Sequence, residues 1–311
     1  MALLSIVIPA YNVARFIRAT VESLCAQEYA DWVAVVIDDG SPDDILGAIS
    51  ALLDSDSRIR YVRKANGGVS SARNYGYRQV AESCRYIMFL DGDDVLKPQA
   101  LRVLVAELEN HPEAGMVHCE PEFIDEKGCT IPDREWLSRM AWRGGKTTRL
   151  GPEDRETPFE SVYSSAGIIP SVSFLRCTVF EQTPGYDEDF GQHCEDTDLN
   201  LQMAIRAPVR YLPEKLVCYR VRSGQSSANL ARHEAQGKKL YSKWRNISGL
   251  TPDQMTTVKR AEAFRSGPLA AYLGYRAAVR HWKAGKFALA FRFWQGALRR
   301  SFKARMSSIL K

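Results

Sequence analysis

The feature that most constrains this chain is the alternation of strand-length apolar runs with helical patterns over its first 120 residues. The runs LLSIVIP (3–9), WVAVVID (32–38), RIRYV (58–62), RYIMFL (85–90) and AGMVHC (114–119) are each bounded by Gly, Pro, Asn or Asp, and each has the length of a buried strand. Between them, helical spacing is read near 13–27, 43–54, 69–83 and 98–110. Regular β-α-β alternation of continuously apolar strands predicts an α/β chain whose parallel sheet is covered on both faces. The opening MALLSIVIPAYN lacks a basic n-region and its apolar run is cut by Pro9, so it reads as a first buried strand and not as a signal peptide.

In such a sheet, ligands lie beyond the carboxyl ends of the strands. There the sequence places P-A-Y-N (9–12), D-D-G-S-P-D-D (38–44) and D-G-D-D (91–94). Each cluster alone is an ordinary turn, and G-G-V-S-S-A-R-N (67–74) alone is a loop feeding a helix cap. Together, at successive strand ends, they converge on one rim. Crowded carboxylates are costly unless a cation joins them. Hard oxygen ligands suit Mg²⁺ or Mn²⁺, which keep several waters and bridge to phosphates, so a nucleotide diphosphate is the expected guest. A dehydrogenase or nucleotidyltransferase is disfavoured, because the loop after the first strand has neither a phosphate-cradling Gly-rich loop nor G-x-G-x-x-G.

The rest of the chain is less periodic. Residues 121–170 dissolve into Gly, Pro, Trp and charges, including 142–158, as functional loop regions do. A helix is expected over 195–207, with Glu195, Asp196 and Asp198 in its first turn, where the macrodipole favours acids, and a strand over 216–221. Seven scattered cysteines without a C-x-x-C point to reduced thiols and not to a disulfide framework or zinc site. No run reaches the roughly 18 apolar residues of a spanning helix. Charge divides sharply: residues 1–229 carry 24 Lys+Arg against 34 Asp+Glu, a net of −10, and residues 230–311 carry 18 against 3, a net of +15. Within the basic part, 268–283 and 286–304 read as a helical hairpin joined at Ala284-Gly285. Its Trp282, Phe287, Phe291, Phe293 and Trp294 suit a packing face or an anionic membrane surface. No nucleic-acid-binding motif accompanies the charge, so no nucleic-acid partner is expected.

Taken in order, S-I-V-I-P-A-Y-N (5–12), V-I-D-D-G-S-P-D-D (36–44), N-G-G-V-S-S-A-R-N-Y-G (66–76), F-L-D-G-D-D (89–94), G-Y-D-E-D-F (185–190) and E-D-T-D-L (195–199) resemble the successive signatures of the family 2 inverting glycosyltransferases. The resemblance covers about residues 3–227. It implies a GT-A type fold: α/β, with a mixed, mainly parallel central sheet flanked by helices. A Rossmann-like nucleotide half (about 1–120) and an acceptor half (about 121–229) form the catalytic domain 1–229, followed by a basic helical region 230–311. By matching positions, it implies that Tyr11 stacks on the base, Asp39 hydrogen-bonds the base edge, and Pro9, Ala10 and Asn12 line the pocket. Arg73 would be a cation near the donor, and Asp91 would sit at the ribose and the metal's waters. Asp93 would ligate Mn²⁺ or Mg²⁺ directly, and Asp196 would be the general base.

The implied activity is transfer from a nucleotide diphosphate sugar, UDP-sugar favoured, to a saccharide or lipid-linked acceptor in cell-surface polysaccharide or glycolipid assembly. It is expected to be non-processive, since the Q-x-x-R-W signature and membrane spans of the polymerising synthases are missing, and to work in the cytoplasm, at the inner face of the membrane. A non-catalytic sugar-nucleotide binding module is the competing reading. One position departs from the family: many relatives carry His where Y-R-V-R (219–222) places Arg222. A guanidinium cannot ligate a metal, but it can clamp a pyrophosphate. Of the five histidines, only His193 lies near Asp196, and it is read as solvated or structural.

Overall fold

Strand β1 (Leu4–Ala10) is buried along its whole length, and its alternating side chains feed two separate apolar layers, as a pleated strand covered on both faces requires. Leu4, Ile6, Ile8 and Ala10 join one layer with Ile17, Val21 and Leu24 of α1 (Ala14–Cys25) and Leu101, Leu104 and Leu108 of α4 (Ala100–Asn110). Val7 joins the other, with Val35 and Ile37 of β2 (Trp32–Asp38) and Ala72 and Val80 of α3 (Val69–Val80). Between β2 and α3 come α2 (Ile45–Ser55) and β3 (Ile59–Arg63). This computed structural model describes residues 3–80, 84–132, 154–164, 168–223, 225, 230–264, 282, 287–288 and 291–298.

The chain continues through β4 (Tyr86–Phe89), β5 (Val95–Leu96), β6 (Met116–Ile124), α5 (Phe159–Ser164), β7 (Ser173–Arg176), the short α6 (Cys177–Phe180), α7 (Glu195–Ala204) and β8 (Val209–Arg220). Strand order in the eight-stranded sheet is β3-β2-β1-β4-β7-β6-β8-β5. The nucleotide half β3-β2-β1-β4 is parallel, β7 runs antiparallel between β4 and β6, β6 and β8 pair in parallel, and β5 closes the edge antiparallel to β8. The mixed, mainly parallel sheet flanked by helices is that of the GT-A fold.

Two antiparallel strands, β5 and β7, are too short to show a period in the sequence. The β6–β8 pair is longer than its apolar runs, with a register irregularity between Cys119 and Pro121. α8 (Leu230–Arg245) and α9 (Pro252–Phe264) bury Leu240, Tyr241, Trp244 and Val258 in the same layer as Val7 and Phe89. The change of charge at residue 229 therefore does not coincide with a break in packing. The hairpin read over 268–283 and 286–304 lies outside the described residues apart from Trp282, Phe287, Ala288 and the helical residues 291–298, and 133–153 and 165–167 of the irregular region 121–170 also lie outside them. The cysteines are all free, but two that are scattered in sequence meet in space, Cys84 and Cys177, with Sγ atoms 2.6 Å apart. No helix among the described residues is long and apolar enough to cross a membrane.

Candidate active site

The parallel register of β1 and β2 ends on Ala10 opposite Asp38, and the Asp39 N–H donates to the Ala10 carbonyl at 3.0 Å. The first two polar clusters are thereby side by side. Tyr11 stands 46% exposed at the end of β1, and the buried Pro9 and Ala10 lie behind it. Asn12 takes the left-handed φ of 55°, a conformation Asn tolerates better than most residues, and its N–H donates to Ser41 Oγ at 2.7 Å. Ser41 in turn contacts Asp43, which receives the Ala14 N–H at 2.7 Å and so heads α1.

The two aspartates of D-D-G-S do different work. Asp38 is buried and accepts from the Ser41 N–H (2.7 Å), Tyr61 hydroxyl (2.6 Å) and Arg63 (3.0 Å), which makes it a brace for the turn. Asp39 accepts from Lys64 Nζ at 2.6 Å and from the N–H groups of Gly67 (3.0 Å) and Gly68 (2.7 Å). An ionised carboxylate offers about four acceptor positions, so Asp39 retains capacity for about one further donor.

The acidic rim follows β4. Gly92 brings it against the first cluster, since a Cβ there would fall 3.1 Å from the Pro9 carbonyl oxygen. Arg73, on α3 and 2% exposed, reaches Asp91 at 2.7 Å and Glu195 at 3.1 Å. Its guanidinium lies 4.9 Å from the centre of the Tyr186 ring. Arg222 Nε lies 2.6 Å from Asp93 Oδ2. Arg220 donates from its side chain to the Asp93 carbonyl (2.8 Å) and from its backbone to Asp94 (2.9 Å). Burial pushes the Asp93 carboxyl upward, with the Asp91 charge adding to this and Arg222 opposing it. Asp94 is pushed further up, by burial and then by Asp93 and Asp91. This mutual cost is what a hard cation relieves. Asp93 and Asp91 are therefore residues that could hold a divalent ion, and Arg222 occupies one oxygen of Asp93. Among the described residues no three His, Cys, Asp or Glu side chains are grouped as a complete metal cage.

The third element is the start of α7, entered through Cys194 in the left-handed region at φ 69°. Its three acids point to three environments. Asp198 is fully buried, accepting from Trp244 Nε1 and Lys243 Nζ at 2.8 Å each. Glu195 faces Arg73, and burial, then Asp196, push its carboxyl up to about 7 against the pull of Arg73. Asp196 is partly exposed, accepts the Thr197 N–H at 2.6 Å, and is raised by burial above its ordinary value. His193 is buried.

Asp196, Glu195, Arg73, Asp91, Asp93 and Arg222 thus form one continuous chain of charge, bordered by the Tyr11 and Asp39 strand ends. Lys64, Arg220 and Tyr186 adjoin these residues and receive no role in the sequence reading. Lys64, immediately after β3, and Arg220, the last residue of β8, are within reach of the strand-end rule, and Tyr186 is not.

The family model described as glycosyl transferase family 2 matches residues 5–182. An uncharacterized glycosyltransferase, EpsJ, of Bacillus subtilis is 38% identical over 220 residues, covering 70% of this chain and 61% of the relative, so the chain spans less than two thirds of that protein's length. Among solved structures, the crystal structure of S. aureus TarS 1–349 in complex with UDP has a TM-score of 0.64 at 12% identity, covering 96% of this chain and 91% of that one. The mannosyltransferase PcManGT from Pyrobaculum calidifontis, in complex with GDP-Man and Mn²⁺, has a TM-score of 0.62 at 16% identity, covering 97% and 87%. At these identities the structural likeness is one of fold.

Proposed function

Because the chain belongs to glycosyl transferase family 2, we propose that it moves a sugar from a nucleotide diphosphate donor, UDP-sugar favoured, to an acceptor hydroxyl with inversion at the anomeric carbon. The observation that carries this reading is the bridge made by Arg73. It ties Asp91, at the end of a nucleotide-half strand, to Glu195, the neighbour of Asp196 on the acceptor side. A donor seated on the first rim then presents its reacting carbon toward the second.

In this reading Tyr11 stacks on the base from its exposed position, Asp39 takes one N–H of the base edge, and Pro9, Ala10 and Asn12 wall the pocket. Asp91 orients the ribose, and Arg222 turns from Asp93 to the diphosphate, which a guanidinium can grip with two parallel bonds. Mn²⁺ or Mg²⁺, held by Asp93 directly and by Asp91 through water, would supply charge neutralisation to the leaving diphosphate. Asp196 accepts the proton of the acceptor hydroxyl as that oxygen attacks the face opposite the leaving group. Burial that raises its carboxyl makes it a better base at neutral pH. The acceptor is a saccharide or lipid-linked saccharide of cell-surface polysaccharide or glycolipid assembly, reached from the cytoplasmic side of the membrane.

The test separates chemistry from binding. Asp196→Asn should leave donor affinity nearly intact while turnover falls by about 10²- to 10⁴-fold. Asp39→Ala should chiefly raise the donor's apparent KM. A wild-type chain that binds UDP-sugars yet neither transfers nor hydrolyses them would instead be a sugar-nucleotide binding module.

A further inference from the structure

Lys243 lies on α8, beyond the span of the family match, and yet its ammonium is shared by two carboxylates of the active-site frame. Nζ is 2.8 Å from Asp187 Oδ2 and 2.8 Å from Asp198 Oδ2. The adjacent Trp244, fully buried among Phe159 and Tyr163, donates its indole N–H to the other oxygen of Asp198. Asp187 also caps the turn Glu188–Phe190 through the Asp189 N–H at 3.0 Å. The residue before it, Tyr186, is pinned to Asn74 by two hydrogen bonds of 2.8 and 2.9 Å and lies under Arg73. One cation therefore holds both segments that frame the chemistry: the loop that supports Arg73 and the helix start that carries Glu195 and Asp196.

Asp198 and Asp196 are two residues apart. Two helical residues subtend about 200°, so a first turn that fixes Asp198 inward necessarily turns Asp196 outward. A fully buried carboxylate is tolerated only while it is paired. Both oxygens of Asp198 are paired here by side chains of α8, and Lys243 is the only charged one of the two.

Resting on the sugar-transfer reading above, we propose that Lys243, assisted by Trp244, is a positioning residue for Asp196. The basic C-terminal region then contributes a built part of the catalytic unit through α8. Loss of the ammonium leaves Asp198 buried without its counter-charge, loosens the first turn of α7 and frees the 185–190 loop beneath Arg73.

The experiment uses the full chain with Lys243→Met, Lys243→Arg and Asp187→Asn. Hydrogen–deuterium exchange is followed over 185–204, UDP affinity by calorimetry, and kcat and KM separately. Lys243→Met should speed exchange at 195–204 and lower kcat by about tenfold or more, in line with the cost of small misplacements of a reacting group, while UDP binds within about twofold of wild type. Lys243→Arg should restore most of both. If Lys243→Met does not fold, Asp187→Asn, which leaves Asp198 paired, should speed exchange over 185–190 and lower kcat with UDP affinity retained. Wild-type exchange and wild-type kcat in the folded variant would overturn the proposal, as would a kcat loss that Lys243→Arg fails to rescue. A wild-type chain without transferase activity would defeat the sugar-transfer reading, and the exchange data would still decide whether Lys243 holds the first turn of α7 and the 185–190 loop.

Discussion

Arg222 holds Asp93 Oδ2 at 2.6 Å with both side chains largely shielded from solvent, so a cation binding this carboxylate shares it with, or competes against, a guanidinium. Replacing Arg222 with Ala should therefore raise Mn²⁺ affinity in the absence of nucleotide and weaken the binding of a nucleotide diphosphate. Electron paramagnetic resonance of free Mn²⁺ reads the first effect and calorimetry the second, and unchanged Mn²⁺ binding would show that Arg222 does not compete. Glu195 gives a pH signature. Its carboxyl sits at about 7, above the ordinary value of 4.5, so between those values the native state binds more protons than the unfolded chain, and stability falls as pH rises through that window. Differential scanning fluorimetry from pH 5 to 8 should show the melting temperature declining, with part of the slope removed in Glu195→Gln. An identical slope in the variant would place the titration elsewhere. At this scale the sequence told which positions cluster, since strand ends locate them. Composition and spacing do not tell which acid of D-D-G-S or E-D-T-D is a brace. Only the family resemblance singles out Asp39 and Asp196, and the partners that brace Asp38, from 41–63, and Asp198, from α8, are visible only in the structure.

At the scale of elements, four of the legible strands, β1, β2, β4 and the start of β6, are buried on both faces, where a continuous apolar run is the natural composition, and the edge strand β3 is read from its length and bounding residues alone. β5 and β7 escaped because two and four residues cannot establish a period. The polar half of β6, with Glu120 and Glu122 partly exposed, looks like loop because it lies toward the edge of the sheet. The close seat of α3 on the sheet was equally hidden. Gly76 faces β1 and β2, and a Cβ there would lie 2.3 Å from Val7 Cγ1 and 2.9 Å from Ile37 Cγ1. Gly76→Ala should thus overpack the core at a cost of about 1–3 kcal/mol, outweighing the gain in helix propensity of about 1 kcal/mol. Because α3 also carries Arg73, the same variant should lose activity beyond its loss of stability. Urea denaturation alongside kcat checks both, and a variant as stable as wild type would mean that the helix can lift from the sheet without penalty.

Over the whole molecule, charge is organised against the active site: a net −10 over residues 1–229, including the catalytic rim, against +15 over residues 230–311. Part of that positive charge is spent internally, on Asp187, Asp189 and Asp198 through Lys239 and Lys243. The helical residues 291–298 add apolar side chains that face outward. Phe291, Trp294 and Leu298 recur at i, i+3 and i+7, which places them on one helical face, and they are 55%, 44% and 50% exposed. Aromatic residues on one face among many cations match a surface that is both anionic and able to accept rings, which describes a bilayer of anionic lipid better than a polyanion. Each basic residue near such a surface contributes about 1 kcal/mol, falling off within a Debye length of roughly 8–10 Å at moderate salt. The full chain should therefore sediment with phosphatidylglycerol-containing vesicles at low salt, not with neutral ones, and should be released as salt is raised. Phe291→Ala combined with Trp294→Ala removes the ring contribution and leaves the charge intact. It should weaken vesicle binding and shift release to lower salt, while transfer to a water-soluble acceptor stays at the wild-type rate. Failure of the wild-type chain to bind anionic vesicles at low salt would leave the aromatic face to packing against protein, and would separate the lipid-linked acceptor from this region of the chain.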